Sequence, residues 1–319
     1  MTNNNEVVLK KNWGYNMYSK LLLTALLGIC AITSMQAQQQ PDTLFQFQFD
    51  NPRYSGNDAP IIYIDGKHNN LHQLDGGFAP FAKLAERDGY QLVKFSSNTA
   101  LSEVKVLVIA NPINSKNQGN WRRPIYPAFA EDEILTIKSW VNNGGRLLLI
   151  ADHMPFAGAA NELANAFGFD FCDGFAQLSD KDQGYEAFTV ENNRLANSIL
   201  TDGTYGAAVH KVISFTGSSF RKPDEALGIL KFNQNDRCLV PEIAWQFDDS
   251  TLQVNLKDQY QGAIMNYGKG KIAVFGEAAL FTAQTISQNG NTFKVGFNTP
   301  AALENIEFVR NVLHWLSAD

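Results

Sequence analysis

Three apolar runs in this chain end in residues able to bind a metal ion or move a proton. They are IIYIDGKHNNLH from Ile61 to His72, RLLLIADH from Arg146 to His153, and KIAVFGE from Lys271 to Glu277. In an open parallel α/β sheet ligands sit outside the carboxyl ends of the strands, so Asp65, His68, His72, Asp152, His153 and Glu277 are expected to converge on one crevice. His68 and His72 are four residues apart, and a helical turn between them would put both imidazoles on one side, able to share a metal. The competing reading is that one histidine bonds the loop backbone and the other faces solvent. Asp152 and His153 are adjacent, so both reach one site only if the chain turns there, which Pro155 and Gly158 favour. Otherwise Asp152 caps the following helix and His153 packs beneath the loop. Glu277, a charged group at the end of a buried strand, must be paired or face a crevice, and a salt bridge to Arg146 or Arg310 is its non-catalytic alternative.

Two chemistries fit this set. Two or three histidines and a carboxylate are a zinc-type donor set that leaves a position open for water. His68, His72 and His153 would hold zinc or another divalent transition metal, with Asp152 as ligand or orienting group and Glu277 as the base. Without a metal, Asp152 and Glu277 would act as a carboxylate pair on a glycoside, with Trp121 stacking on the sugar face. The chain contains no G-x-S-x-G elbow, P-loop or G-x-G-x-x-G, which removes support for serine hydrolase, nucleotidase and dinucleotide-dependent readings.

The elements that position these residues follow from pattern and punctuation. PDTLFQFQFDNPRYSGNDA (41 to 59) alternates around Phe45, Phe47 and Phe49 and predicts a short edge strand followed by a loop. Strands are expected at Ile61 to Ile64, Tyr90 to Phe95, Val104 to Ala110 and Arg146 to Asp152. The last has no polar alternation, the sign of burial on both faces. Helices are expected over Phe78 to Arg87, Ala130 to Asn143 and about Gly158 to Phe167, each stopped by glycine. This rhythm predicts a doubly wound, mainly parallel sheet with right-handed crossovers. The long loop from Asn111 to Pro127 suggests a lid or binding loop. From Phe169 to about Gln261 short strand-like pieces predict an antiparallel extension. A strand pair turning at Gly268 to Gly270 and a terminal helix from Asn305 to Leu316 close the chain.

The first residues read differently. Lys10, Lys11 and Lys20 precede an apolar run from Leu21 to Ile32 and the polar stretch TSMQAQQQ, a secretory signal with cleavage expected after Ala37. The run is shorter than the roughly 20 residues a membrane span needs. The expected product, residues 38 to 319, is exported to the periplasm or medium and has no membrane span. It comprises an N-terminal strand and loop (38 to 59) and one α/β domain (60 to 319). The formal charge of the chain is −6, and losing three lysines and one glutamate makes the remainder more negative, which argues against nucleic acid as a partner. With 45% hydrophobic residues a packed core is assured. Cys172 and Cys238 remain after cleavage, and both a disulfide between them and two core thiols fit the sequence.

The segments IDGKHNNLHQLDGGFAPFAKLAERDGY, WVNNGGRLLLIADHMPFAGAANELANAFGF and GKGKIAVFGEAALFTAQ resemble a group of exported bacterial proteins in the class I glutamine-amidotransferase-like superfamily, related to trehalose-utilisation-type proteins. The likeness covers most of residues 60 to 317. It implies a flavodoxin-like three-layer α/β sandwich. In true amidotransferases a nucleophilic cysteine follows the strand that RLLLIA resembles, and here Asp152 and His153 stand in its place. The resemblance therefore implies the fold without glutaminase chemistry. The expected function is an exported, metal-dependent hydrolase of a small or carbohydrate-derived substrate, the alternative being a non-catalytic ligand- or carbohydrate-binding module of the same fold.

Overall fold

The computed structural model describes residues 38–47, 49, 51–55, 59–180, 185–288 and 291–319. The expected leader, residues 1–37, lies outside the described residues. Five strands form the parallel part of the central sheet: β2 (Ile61–Asp65), β3 (Gln91–Phe95), β4 (Val106–Ala110), β5 (Arg146–Ile150) and β14 (Gly270–Phe275). Their order across the sheet is β3-β2-β4-β5-β14. The chain runs outward from β2 to β3, then reverses and builds β4, β5 and β14 on the other side. The reversal makes the carboxyl ends of β2 and β4 a topological switch point, the place where open α/β sheets bind ligands.

The remaining strands continue the same sheet with antiparallel pairing. β13 (Tyr260–Tyr267) pairs with β14 through the tight turn at Gly268, whose φ is +57°. Beyond it lie β9 (Gly217–Arg221), β6 (Asp170–Gln177), β11 (Arg237–Val240) and β12 (Leu252–Asn255), and β10 (Leu227–Lys231) also pairs with β13. Two small sheets complete the described residues, β7 (Glu186–Thr189) with β8 (Lys211–Ser214), and β1 (Gln38–Pro41) with β15 (Ala283–Gln288) and β16 (Asn291–Gly296). The expected mixture of a parallel sheet and antiparallel strands is present. Among the described residues the edge strand expected around Phe45 to Phe49 is absent. Its strand is Gln38–Pro41, while Phe47 buries its ring against Phe45 and Phe297, so the aromatic alternation there serves packing instead of a ladder.

Helices cover both faces of the parallel strands. On one face Ile62, Ile64, Val106, Val108, Leu148 and Ile150 meet α1 (Ala79–Arg87) and α4 (Glu304–Ser317). On the other, Leu107, Ile109, Leu147, Leu149, Ile272 and Val274 meet α2 (Glu131–Asn142) and α3 (Phe156–Asn165). Successive strand residues point to opposite faces, so the uninterrupted apolar runs fill two cores at once. Acidic Glu131, Asp132 and Glu133 load the first turn of α2, where the helix dipole favours them, and Gly144 at φ +115° ends it. Cys172 and Cys238 are joined by a disulfide between β6 and β11. No helix among the described residues is long and apolar enough to cross a membrane.

Candidate functional site

The carboxyl ends of β2, β4, β5 and β14 carry Asp65, Asn111, Asp152 and Glu277. Parallel pairing sets Phe275 opposite Ile150. Asp152 and Glu277 each lie two residues past these paired ends, close enough for the Asp152 charge to act on Glu277. Both side chains are almost fully buried. Burial lifts the Asp152 carboxyl to about 7, against hydrogen bonds from the His153 and Ala278 N–H groups and the Asn111 side chain, and the nearby charge of Glu186 adds to the rise. Burial and the neighbouring Asp152 push Glu277 well above the usual carboxylate range. With both carboxyls raised, the pair retains a proton at neutral pH.

Glu277 is nevertheless rich in donors. Glu277 Oε2 accepts from Thr216 N at 2.8 Å, Phe215 N at 3.2 Å and Ser214 Oγ at 3.2 Å, and Oε1 accepts from Ala279 N at 2.8 Å. The approach depends on Gly217, where a Cβ would lie 2.2 Å from the Gly276 carbonyl oxygen and 3.1 Å from Glu277 Cβ. These donors oppose the rise, but burial and the Asp152 charge outweigh them. The alternative salt bridge for Glu277 is excluded, because Arg146 pairs with Asp319 at 3.2 Å and Arg310 with Asp88 at 2.9 Å. Nor does Asp152 cap α3, since its carboxylate accepts from His153 N at 2.7 Å. The first turn of α3 is served by Asp173, whose Oδ1 accepts from Gly158 N at 3.0 Å.

The three histidines occupy different surroundings. Asn69 adopts φ +48°, so no helical turn forms between His68 and His72. His68 is clamped by carboxylates, Nδ1 to Asp65 Oδ2 at 2.7 Å and Nε2 to Glu133 Oε1 at 3.0 Å. Burial opposes its charge, but Asp65 and Glu133 outweigh that and raise its pKa. His72 stacks on Phe78, and burial, aided by the nearby His153, depresses it to about 4. Its Nδ1 has no partner and lies where a Cβ on Gly77 would sit, 2.3 Å away. Burial likewise lowers His153 to about 4; its Nδ1 meets the Met154 carbonyl at 2.7 Å. Among the described residues no three His, Cys, Asp or Glu side chains form a group that would hold a metal ion. With both nitrogens of His68 and one of His153 already engaged, the donor set does not fit the expected His68, His72 and His153 site.

Aromatic residues wall the His153 side. Its ring stacks on Phe175 at 4.6 Å and meets Trp245 edge-on at 4.7 Å, with Trp121 at 6.2 Å. Trp245 is 54% exposed and Phe247 41%, so both offer surface to a ligand. The loop from Asn111 to Pro127 is fastened down, with Arg123 N bonded to the Glu242 carbonyl at 3.0 Å and Ala244 N to that of Trp121 at 2.9 Å. A cavity of about 760 Å³ opens elsewhere, lined by Leu101, Leu135, Trp140 and Gly145 near the amino ends of β4 and β5, opposite this chemistry.

Sequence reasoning missed Asn111 and Glu133. Asn111 directly follows the buried run VLVIA, so the strand-end rule that selected Asp152 applied equally to it. Glu133 gave only the signal of an acidic helix start.

No family model and no curated protein sequence matches this chain. Among solved structures it is similar to the mmIFT52 N-terminal domain, at 14% identity and a TM-score of 0.55, over 81% of this chain and 98% of that one. A ThuA-like protein from Bacteroides uniformis is similar at 11% identity and a TM-score of 0.41, over 83% of this chain and 96% of that one. PurLQS from Thermotoga maritima is similar at 10% identity and a TM-score of 0.44, over 81% of this chain and all of that one. Only the first likeness is close enough to bear on the architecture, and it speaks to fold alone.

Proposed function

We propose that this protein is an exported hydrolase of a small, carbohydrate-derived substrate that works by acid–base chemistry without a metal, on a flavodoxin-like member of the glutamine-amidotransferase-like superfamily. The observation that carries the reading is the buried Asp152 and Glu277 just past the adjoining ends of β5 and β14, which together retain a proton at neutral pH. Asp152 gives that proton to a leaving oxygen and, once ionised, takes one from the attacking water. Glu277, whose oxygens are occupied by four donors and whose own pKa is raised, positions and neighbours Asp152 in place of the free base expected from the sequence. Strand order β3-β2-β4-β5-β14, second-first-third-fourth-fifth along the chain, supports the flavodoxin-like assignment. Both described cysteines are in the disulfide, which leaves no described thiol for glutaminase chemistry and suits an oxidising compartment.

The test is a screen of small chromogenic glycosides and esters with the purified protein and Asp152→Asn. We expect turnover that falls about 100-fold or more in the variant. Equal turnover in both would overturn the assignment of Asp152. Stoichiometric zinc by elemental analysis, lost in the double variant His68→Ala and His72→Ala, would overturn the metal-free form. A second reading, a carbohydrate-binding module, is favoured by the exposed faces of Trp245 and Phe247. It predicts binding with no turnover at all.

A further inference from the structure

The cavity of about 760 Å³ at the amino ends of β4 and β5 takes no part in the chemistry proposed above, yet it is built like a binding site. Its volume falls within the roughly 300–1,000 Å³ of small-molecule sites. The later turns of α2, the short turn Leu101–Glu103 and the Gly144 to Gly145 corner before β5 form its walls. Val104 is buried, Leu101 and Trp140 are half-buried, and Leu135 on α2 is 61% exposed, so apolar surface faces the opening from three elements. Trp140 is held in one orientation. Its Nε1 donates to the Val104 carbonyl at 2.9 Å, and a Cβ on Gly145 would lie 2.2 Å from its Cε2, so the indole packs where any larger residue at 145 would displace it. A ring fixed in this way need not be ordered again when a ligand arrives.

Charge gives the cavity its preference. Lys105 is the charged residue of the lining, and no acidic side chain lines it. Lys105 is exposed and forms no ion pair among the described residues. Strand pairing sets three cations along adjoining strand starts, for Arg146 N donates to the Lys105 carbonyl at 3.0 Å and Lys271 pairs with Arg146. Asp319 takes Arg146 at 3.2 Å, and Lys271 Nζ donates to the Trp315 and Ala318 carbonyls at 2.9 and 2.6 Å. Burial lowers the Lys271 pKa, and the charges of Arg146 and Lys105 lower it further, against Asp319. In this group one carboxylate balances three cations, which leaves Lys105 to attract an anion. We propose that the cavity binds a small aromatic carboxylate, its ring against Trp140 and Leu135 and its anion at Lys105. A neutral ring would forgo the charge, and an aliphatic acid would forgo the aromatic contact. The site lies at the end of the strands opposite Asp152 and Glu277, so the inference stands whether or not the protein is a hydrolase.

The experiment is titration calorimetry of the full purified protein with 2-naphthoate, its neutral counterpart 2-naphthamide and the aliphatic acid hexanoate. Three proteins are compared: wild type, Lys105→Gln and Ser139→Trp. Lys105→Gln removes the charge and keeps most of the side chain. Ser139→Trp fills the cavity from α2. Both positions are exposed, so neither change disturbs the core. We expect wild type to bind 2-naphthoate about 5-fold or more tightly than either 2-naphthamide or hexanoate, as one exposed ion pair and one aromatic contact imply. Lys105→Gln should lose that advantage for 2-naphthoate and bind 2-naphthamide as wild type does. Ser139→Trp should weaken both naphthyl ligands about 10-fold or more. The proposal falls if wild type does not bind 2-naphthoate at millimolar concentration, or binds the acid and the amide equally. It falls if hexanoate binds as tightly as 2-naphthoate, or if Lys105→Gln leaves the preference for the acid intact. Unchanged affinity in Ser139→Trp would place the ligand elsewhere, as on the exposed Trp245 and Phe247, and would overturn the assignment of this cavity.

Discussion

Four buried groups at one edge of the sheet respond to pH in opposite directions. Asp152, lifted to about 7, and Glu277, lifted well above the carboxylate range, bind protons more tightly folded than unfolded. Their contribution to stability is complete below the unfolded carboxylate pKa of about 4 and is lost as pH rises through the folded values. His72 and His153, depressed to about 4, do the reverse. Theirs is complete above the unfolded value of about 6.5 and is lost as pH falls toward 4. Between these limits the two trends oppose each other, and above about pH 6.5 the acids still act, joined by His68, whose raised pKa loses its contribution in the same direction. We expect the melting temperature of wild type to fall from pH 6.5 to 8, and that of Asp152→Asn to fall less. Up to about 4 kcal/mol is at stake across the whole Asp152 window, as an upper bound. The same variant should lose stability more steeply than wild type from pH 6.5 to 5, since the histidines then act with less opposition. Superimposable profiles for the two proteins would show that Asp152 is not held protonated.

Elements are tied together by a second buried network that takes no part in the proposed chemistry. Asp88, which closes the carboxyl end of α1, accepts from Arg310 Nη2 at 2.9 Å and from Arg53 N at 2.9 Å, and pairs with His314 Nε2 at 2.5 Å. Burial alone would raise the Asp88 pKa, but the bonds from His314 and Arg310 overcome it and lower it. Asp88 thus fastens α4 to α1 and to the segment around Arg53, on the face opposite α2 and α3. Removing one partner of a buried ionic network leaves the others uncompensated. Asp88→Ala should therefore lower unfolding free energy by about 3–5 kcal/mol in urea titration, with the pH trend attributed to Asp152 preserved. A loss below about 1 kcal/mol would mean that α4 is held by its apolar face alone. The amphipathic run foretold α4, but nothing in it signalled this anchor, whose members lie far apart in the chain.

The whole molecule depends on joining a parallel and an antiparallel half in one sheet. β6 and β11 lie in the antiparallel half and supply Phe175 and the approach to Trp245, which wall the candidate site. The Cys172–Cys238 disulfide cross-links these strands over a sequence separation of 66 residues. Closing a loop of that length in the unfolded chain is worth about 4 kcal/mol in the chain-entropy model. The double variant Cys172→Ser and Cys238→Ser should unfold at a lower urea midpoint by a corresponding amount, and wild type treated with reductant should follow it. An unchanged midpoint in both would show that the bridge adds nothing to strand pairing that is already complete.

The sequence alone determined the secondary structure near the site and the residues at its strand ends. Ile61 to Asp65, Arg146 to Ile150 and Lys271 to Phe275 lie among helices on both faces, so they had to be uninterrupted apolar runs, and such runs are visible one segment at a time. Asp152 and Glu277 were then found by the rule that ligands gather at strand carboxyl ends. Only the tertiary structure decided the pairing of β5 with β14, which brings those two acids near each other, and the reach of Glu133 from α2 onto His68. It also decided that His68 faces two carboxylates while His72 turns toward Phe78, against the shared helical turn that their spacing suggested. Local pattern records which faces of a segment are buried. It does not record which distant segment covers them, and the charge, partners and proton affinity of every group in this site depend on that covering.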